Sequence, residues 1–248
     1  MKQTHLSMGM PITLEVLDPG VTGETFESVF AYFEYVDRKF STYKNDSEIS
    51  MLNRQEITLE QSSEDMQSIF ALAEQTRQET GGYFDIAHNG IYDPSGIVKG
   101  WAIFTAAEII QRAGFENYYV DAGGDIQVSG KNGQAQAWRI GIQNPFDPGQ
   151  IVKVLSIQDG GVATSGTYVR GQHIYNPKNS GQPITGIVSL TVIGPDVYEA
   201  DRFATAAFAM GPAGILFIEK LEGIEGYMID EEGLATYTSG FERYVNHD

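Results

Sequence analysis

Tyr118-Tyr-Val-Asp-Ala-Gly-Gly-Asp-Ile-Gln-Val-Ser129 sets two runs of strand-favouring residues on either side of a glycine pair. Glycines tolerate the positive φ that a tight hairpin needs, so Tyr118 to Asp121 and Asp125 to Ser129 are expected to pair about Gly123-Gly124. The spacing is not that of a Rossmann fingerprint, and the other reading of Asp121 to Asp125 is a loop that holds a ligand. Working downstream, Ala137 to Gln143, Val152 to Gln158 and the β-branched run Gly186 to Gly194 read as further strands, and Gly226 to Tyr237 as a closing hairpin turning at Asp230 to Gly233. Upstream, Met10 to Leu17 alternates as a strand.

Helices separate these runs. Phe26, Val29, Phe30, Phe33 and Val36 recur at helical spacing up to Phe40. Ser62-Ser-Glu-Asp65 is a capping signal before Met66, Ile69, Phe70 and Ala73, a helix expected to run to about Glu79, while Ser47 to Asn53 reads as a loop or short turn. A third helix carries Val98, Trp101, Ala102, Ala106, Ile109 and Ile110 to near Gly114, and the last third returns to helix over Asp201 to Met210 and Ala213 to Leu221, with Pro212 in the first turn. Strands and helices mix without a strict βαβ rhythm, which predicts an α+β fold with helices packed on largely antiparallel sheet. No linker or repeat divides the 248 residues, so a single domain over 1–248 is expected.

Composition excludes several functions. A formal charge of −17 argues against nucleic-acid binding, which needs clustered Lys and Arg. The absence of cysteine rules out disulfides, thiolate metal sites and a cysteine nucleophile. The first residues form no apolar signal core and no later stretch reaches membrane-spanning length, so no membrane span and a cytoplasmic location are expected.

Four segments carry candidate chemistry. In Glu199-Ala-Asp-Arg-Phe-Ala-Thr-Ala-Ala-Phe208, Asp201 and Thr205 stand four apart, so one helical face presents a carboxylate and a hydroxyl. Such oxygens suit a hard cation such as Mg2+; alternatively Asp201 caps the helix and Thr205 faces a neighbour. In Asp93-Pro-Ser-Gly-Ile-Val-Lys99, the turn exposes carbonyl groups, and the helix start and Lys99 offer positive potential to phosphate; the other reading is a turn aspartate with a solvated lysine. His173, one of four histidines, follows Tyr168-Val-Arg170 and is the best candidate for a general base, or else a structural hydrogen-bonding residue. Thr164-Ser165-Gly lacks the nucleophile-elbow pattern of a serine hydrolase.

Taken in order, Met8-Gly-Met, Phe40-Ser-Thr-Tyr43, Ser47-Glu-Ile-Ser50-x-Leu-Asn53, Thr80-Gly-Gly-Tyr-Phe-Asp85, Gly96-Ile-Val-Lys-Gly-Trp-Ala102, Ala122-Gly-Gly-Asp-Ile126, Ala163-Thr-Ser-Gly166, His173-Ile-Tyr-Asn-Pro177 and Ala200-Asp-x-x-Ala-Thr-Ala206 closely resemble the ApbE-type FAD:protein FMN transferases. The resemblance implies a compact, T-fold-like architecture, either one unit or two lobes sharing a central flavin site. It implies Mg2+-dependent cleavage of FAD, with FMN joined through a phosphoester to a Thr or Ser of an acceptor flavoprotein and AMP released. An FAD pyrophosphatase giving free FMN, or an FAD-binding protein without turnover, would draw on the same residues. Carried over by position, Asp201, Thr205 and the Gly96 carbonyl correspond to metal ligands. Met8, Tyr43, Tyr83, Phe84, Asp85, Asp93 and Lys99 correspond to FAD contacts, and His173 to the residue that activates the acceptor hydroxyl. Two departures stand out: the segment from Asp85 to Asp93 is much shorter than in typical members, and Asn176 replaces the usual aspartate after the histidine.

Overall fold

The computed structural model describes residues 1–166, 174–179 and 181–246. In chain order its strands and helices are β1 Lys2–Ser7, β2 Met10–Val16, α1 Gly23–Phe40, α2 Glu48–Asn53, α3 Glu64–Glu79, β3 Ala87–His88, β4 Ile91–Tyr92, α4 Ser95–Arg112, β5 Tyr118–Ala122 and β6 Asp125–Ser129. There follow β7 Trp138–Asn144, β8 Asp147–Ile157, β9 Gly160–Gly166, β10 Ser189–Gly194, α5 Val197–Ala209, α6 Gly214–Ile218, β11 Glu225–Ile229 and β12 Ala235–Tyr237.

The glycine-centred stretch folds as read. β5 and β6 pair antiparallel with Ala122 opposite Asp125, and Gly123 and Gly124 take φ of 63° and 95° between them. The pair sits inside an eight-stranded sheet ordered β1-β2-β5-β6-β9-β10-β11-β12, with every neighbour antiparallel. β7 and β8 form a separate two-stranded sheet. The fold is α+β, with helices on antiparallel sheet.

Three apolar clusters fill the interior. One joins α1, α3 and α4 to β2 and β5 through Phe26, Phe33, Met66, Ile103, Leu14 and Val120. A second joins α5 and α6 to β9 and β10 through Phe208, Ile218, Ala163 and Leu190. The third lies under the β7–β8 hairpin, where Trp138, Ile140 and Leu155 meet Val128, Val162 and Tyr227. Strands β10 and β11 are therefore buried along their whole length, as strands covered on both faces are.

Several boundaries differ from the sequence reading. Ser47 to Asn53 is a short helix rather than a loop, because the Ser47 hydroxyl caps it by accepting from the Ser50 amide at 3.2 Å. α5 begins at Val197, four residues before Asp201, because Asp196 is its cap and accepts from the Glu199 amide at 2.8 Å. Pro212 lies in a 3₁₀ turn, and only Gly214–Ile218 of the expected final helix is α-helical. β1 and β9 were not legible as strands. No helix among the described residues is long and apolar enough to cross a membrane.

Candidate active site

The site forms where α4 and α5 cross. Glycine makes the close approach possible. A Cβ on Gly100 would stand 2.6 Å from Asp201 Cβ and 2.9 Å from the Val197 carbonyl, and one on Gly96 would stand 3.1 Å from Thr205 Cγ2. The two glycines, four apart on α4, thus face the carboxylate and the hydroxyl, four apart on α5. α5 is seated from below as well. The Val197 amide donates to Gln127 Oε1 at 2.7 Å, and a Cβ on Gly161 would stand 2.0 Å from that same nitrogen.

Asp201 is buried, with Oδ2 accepting from the Gly100 amide at 2.8 Å and Oδ1 3.5 Å from Lys99 Nζ. The Lys99 ammonium also lies against Asp125 Oδ2, while Asp125 Oδ1 accepts from the Thr164 amide at 3.0 Å. Burial pushes the Asp201 carboxyl well above the ordinary carboxylate range. The Asp125 charge pushes the same way, against the pull of Lys99 and the Gly100 amide. Lys99 is not the solvated lysine of the alternative reading, and Asp201 is not a helix cap. Asp93 does serve its turn, with Oδ1 accepting from the Ser95 amide at 3.0 Å, and it lines the cleft besides.

A cleft of about 700 Å³, open to solvent at its mouth, brings Tyr83, Phe84, Asp85, Asp93, Gly96, Lys99, Asp201 and Thr205 together. A second cleft holds Met8 and Tyr43 and shares Asp93, Ser95 and Lys99 with the first. Met8 is presented by its turn: Met8 and Gly9 take φ of 54° and 74° between β1 and β2. Tyr43 stands on the rim, 96 % exposed. Every predicted site residue except His173 thus lines one of two connected clefts; His173 lies outside the described residues.

The far wall comes from Ile174, Tyr175 and Pro177. Tyr175 is fixed by donating its hydroxyl to the Asp85 carbonyl at 2.5 Å and by stacking on His88 at 3.9 Å between ring centroids. Lys178 lies 4.2 Å above the Tyr83 ring. The shortened segment after Asp85 closes as the β3–β4 hairpin, turned by Asn89-Gly90 with φ of 52° and 79°.

The donor set fits a small divalent cation. Asp125 and Asp201, 1 % and 2 % exposed, face the ammonium of Lys99, so the cluster holds two carboxylates and one ammonium with little water to offset the difference. The Thr205 hydroxyl lines the cleft without a hydrogen-bond partner among the described residues. In a regular helix the Gly96 carbonyl would accept from the Gly100 amide, which here donates to Asp201. Among the described residues no three His, Asp or Glu side chains are arranged to hold a metal by themselves.

Sequence reasoning left three participants without a role. Asp125 was read as part of a hairpin or a ligand-holding loop, without a partner, and Lys99, which it meets, is distant in sequence. Arg202, half of the dipeptide that contains Asp201, is buried, hydrogen-bonds Glu199 Oε2 at 2.6 Å, pairs with Glu79 and stacks 4.0 Å from the Phe203 ring, tying α5 to α3. An arginine inside an otherwise small, apolar helical run was the available signal. Tyr175 sits in the quoted segment after His173, where an aromatic next to a polar turn gives no sign of its partner.

The family model described as the ApbE family matches residues 8–93 and 88–228, the two stretches meeting at the β3–β4 hairpin. The FAD:protein FMN transferase of Escherichia coli strain K12 is 34% identical over 151 residues, covering 57% of this chain, and the chain spans less than half of that relative, 43%. The FAD:protein FMN transferase of Haemophilus influenzae is 25% identical over 304 aligned residues, covering 94% of this chain and 88% of its own. Among solved structures, the flavin transferase ApbE from Vibrio cholerae superposes with a TM-score of 0.85 at 25% identity, covering 98% of both chains. The ApbE protein of Thermotoga maritima shares the fold, with a TM-score of 0.88 at 22% identity over 100% of this chain and 99% of that one. The chain belongs to the ApbE family.

Proposed function

We propose that this protein cleaves FAD and transfers its FMN half to a threonine or serine hydroxyl of an acceptor flavoprotein, releasing AMP. One observation carries the reading: the carboxylate and hydroxyl of α5 face Gly100 and Gly96 of α4 and line a cleft walled by Tyr83, Phe84 and Tyr175. Asp201, Thr205 and the Gly96 carbonyl would hold Mg2+, which, when bound, neutralises charge on the diphosphate.

The chain's own groups do the remainder. Lys99, at the junction of the two clefts, offers its ammonium to a phosphate oxygen, and the Asp93 turn at the start of α4 orients the substrate beside it. Aromatic rings on both sides supply stacking surface for a flavin or an adenine. His173 takes the proton of the acceptor hydroxyl. The hydroxyl oxygen bonds to the FMN phosphorus, the bridging P–O bond breaks, and AMP leaves with the electron pair. With a net charge of −17, the protein gains nothing from long-range attraction to an anionic dinucleotide, so local cations and amides must hold it.

The test is incubation with FAD and MgCl2, with and without a threonine-bearing acceptor peptide, following AMP by chromatography and the peptide by mass. An FMN increment on the peptide is the expected result. AMP released at the same rate with no increment would make the protein a pyrophosphatase, and FAD bound without cleavage would make it a binding protein.

A further inference from the structure

A third groove opens onto Lys99 and Thr164, two residues that also line the larger cleft. It runs along β7, lined by Arg139, Gly141 and Gln143 on that strand and by the Gly123-Gly124 turn opposite. We propose that this groove receives an extended segment of the acceptor protein and that Arg139 holds an acidic residue of that segment. The inference rests on the FMN-transfer reading.

Three components must meet at the attacked phosphorus: the FMN half, the departing AMP and the incoming hydroxyl. Three recesses converge on Lys99. The two that share Asp93 and Ser95 have aromatic or thioether walls suited to rings. The third mixes glycine backbone and charged or amide side chains with Ile126, Ile140 and Ile151, a lining that suits an extended polypeptide with both polar and apolar side chains. Among the described residues β8 is the strand partner of β7, so β7 keeps a second edge on which an extended backbone can pair.

Charge within the groove points to the chemistry of that segment. Asp121 is already engaged, accepting from the Gly124 amide at 2.9 Å and from the Tyr119 hydroxyl at 3.2 Å. Asp125 is held by Lys99 and the Thr164 amide. The side chain of Arg139, exposed on β7, has no ion pair or hydrogen bond among the described residues. A guanidinium left open in an acidic protein takes a carboxylate in bidentate fashion, and a lysine would not reproduce that geometry.

The experiment uses the full chain with FAD, MgCl2 and a set of short threonine peptides carrying one Asp at successive positions around the threonine, each with a Lys-substituted counterpart. The wild-type chain should modify at least one Asp peptide at a lower KM than its Lys counterpart. Arg139→Glu should raise the KM for that peptide by about tenfold or more and reverse the preference toward Lys, with Arg139→Gln between the two. The dissociation constant for FAD, read by flavin fluorescence without peptide, should stay within about twofold. An unchanged peptide KM would overturn the proposal. So would a fall in FAD affinity instead, because the groove would then hold the AMP half. Wild-type chain that releases AMP but labels no peptide would sink the transfer reading and this inference with it.

Discussion

Residues 2–129 and 160–237 pass through the same order of elements twice. In each, two antiparallel strands lead into an excursion of helix and two further strands return to extend the sheet: β1, β2, β5 and β6 in the first, where the returning pair lies toward the centre, and β9, β10, β11 and β12 in the second, where it lies toward the edge. The halves meet where β6 pairs with β9. Their excursions differ. The first spends α1 to α4 and the β3–β4 hairpin on it, and that long insert, with the β1–β2 turn, supplies Met8, Tyr43, Tyr83, Phe84, Asp85 and Asp93. The second spends only α5 and α6, and supplies Asp201 and Thr205 from a helix buried on almost every side. The elaborated half makes most of the walls and brings Lys99 and Asp125 to the charged floor, while the spare half brings Asp201 and Thr205 to that floor and Ile174, Tyr175 and Pro177 to the far wall. The proposed chemistry belongs at the seam, where buried Asp125 and Asp201 meet beside an open cleft.

The sharpest way to break this division is Asp201→Ala. If the second half supplies the metal-binding carboxylate, Mg2+-dependent AMP release should fall by about a thousandfold. Stability should not fall with it: the change removes one of two buried carboxylates and leaves Lys99 paired with Asp125. Activity and thermal melting should therefore part company. Retention of wild-type rates would take the metal away from α5, and a collapse of the melting temperature would make Asp201 a structural residue.

A smaller effect tests the seam itself. Gly100→Ala places a methyl 2.6 Å from Asp201 Cβ and 2.9 Å from the Val197 carbonyl, so α4 and α5 must separate or distort. Overpacking of this kind costs about 1–3 kcal/mol, measurable as a shift in the urea midpoint. Gly133→Ala is the control, since a Cβ there meets nothing within 4 Å. Equal midpoints for the two variants would mean the halves do not depend on this contact.

The two halves also differed in how readily their residues told of them. In the first, apolar spacing from Phe26 to Phe40 and the Gly123-Gly124 turn gave the helix and the hairpin, because amphipathic periods and positive-φ glycines are local properties. β1 escaped because it is an edge strand without an apolar face. β9 escaped for the opposite reason. Gly160-Gly-Val-Ala-Thr-Ser-Gly166 is almost entirely buried, so it does not alternate, and Gly161 is needed to let α5 begin above it. For the site, spacing placed Asp201 and Thr205 on one face, yet it left both capping and ligation open. What removed capping was Asp196 taking the cap and Gly100 donating to Asp201, contacts that no local pattern encodes. The residues drawn from the family resemblance, His173 aside, line the connected clefts because those motifs follow the seam; the pairing of Lys99 with Asp125 was not legible, because it joins one helix to a strand of the sheet.

The mildest test separates wall from floor. Tyr43 belongs to the elaborated half and stands 96 % exposed beside Met8, so it contributes next to nothing to the core. Its use, if the first half is the ring-binding half, is stacking. Tyr43→Ser should weaken FAD binding about fivefold, close to 1 kcal/mol and within the range of one aromatic contact, while leaving the urea midpoint in place. Added to Asp201→Ala, the two losses should be independent: the Tyr43 change should cost the same in FAD affinity with or without Mg2+, because the rim and the metal ligands touch different ends of the substrate. A Tyr43 effect that vanished without the metal would couple wall to floor, and the halves would have to be read as one binding surface.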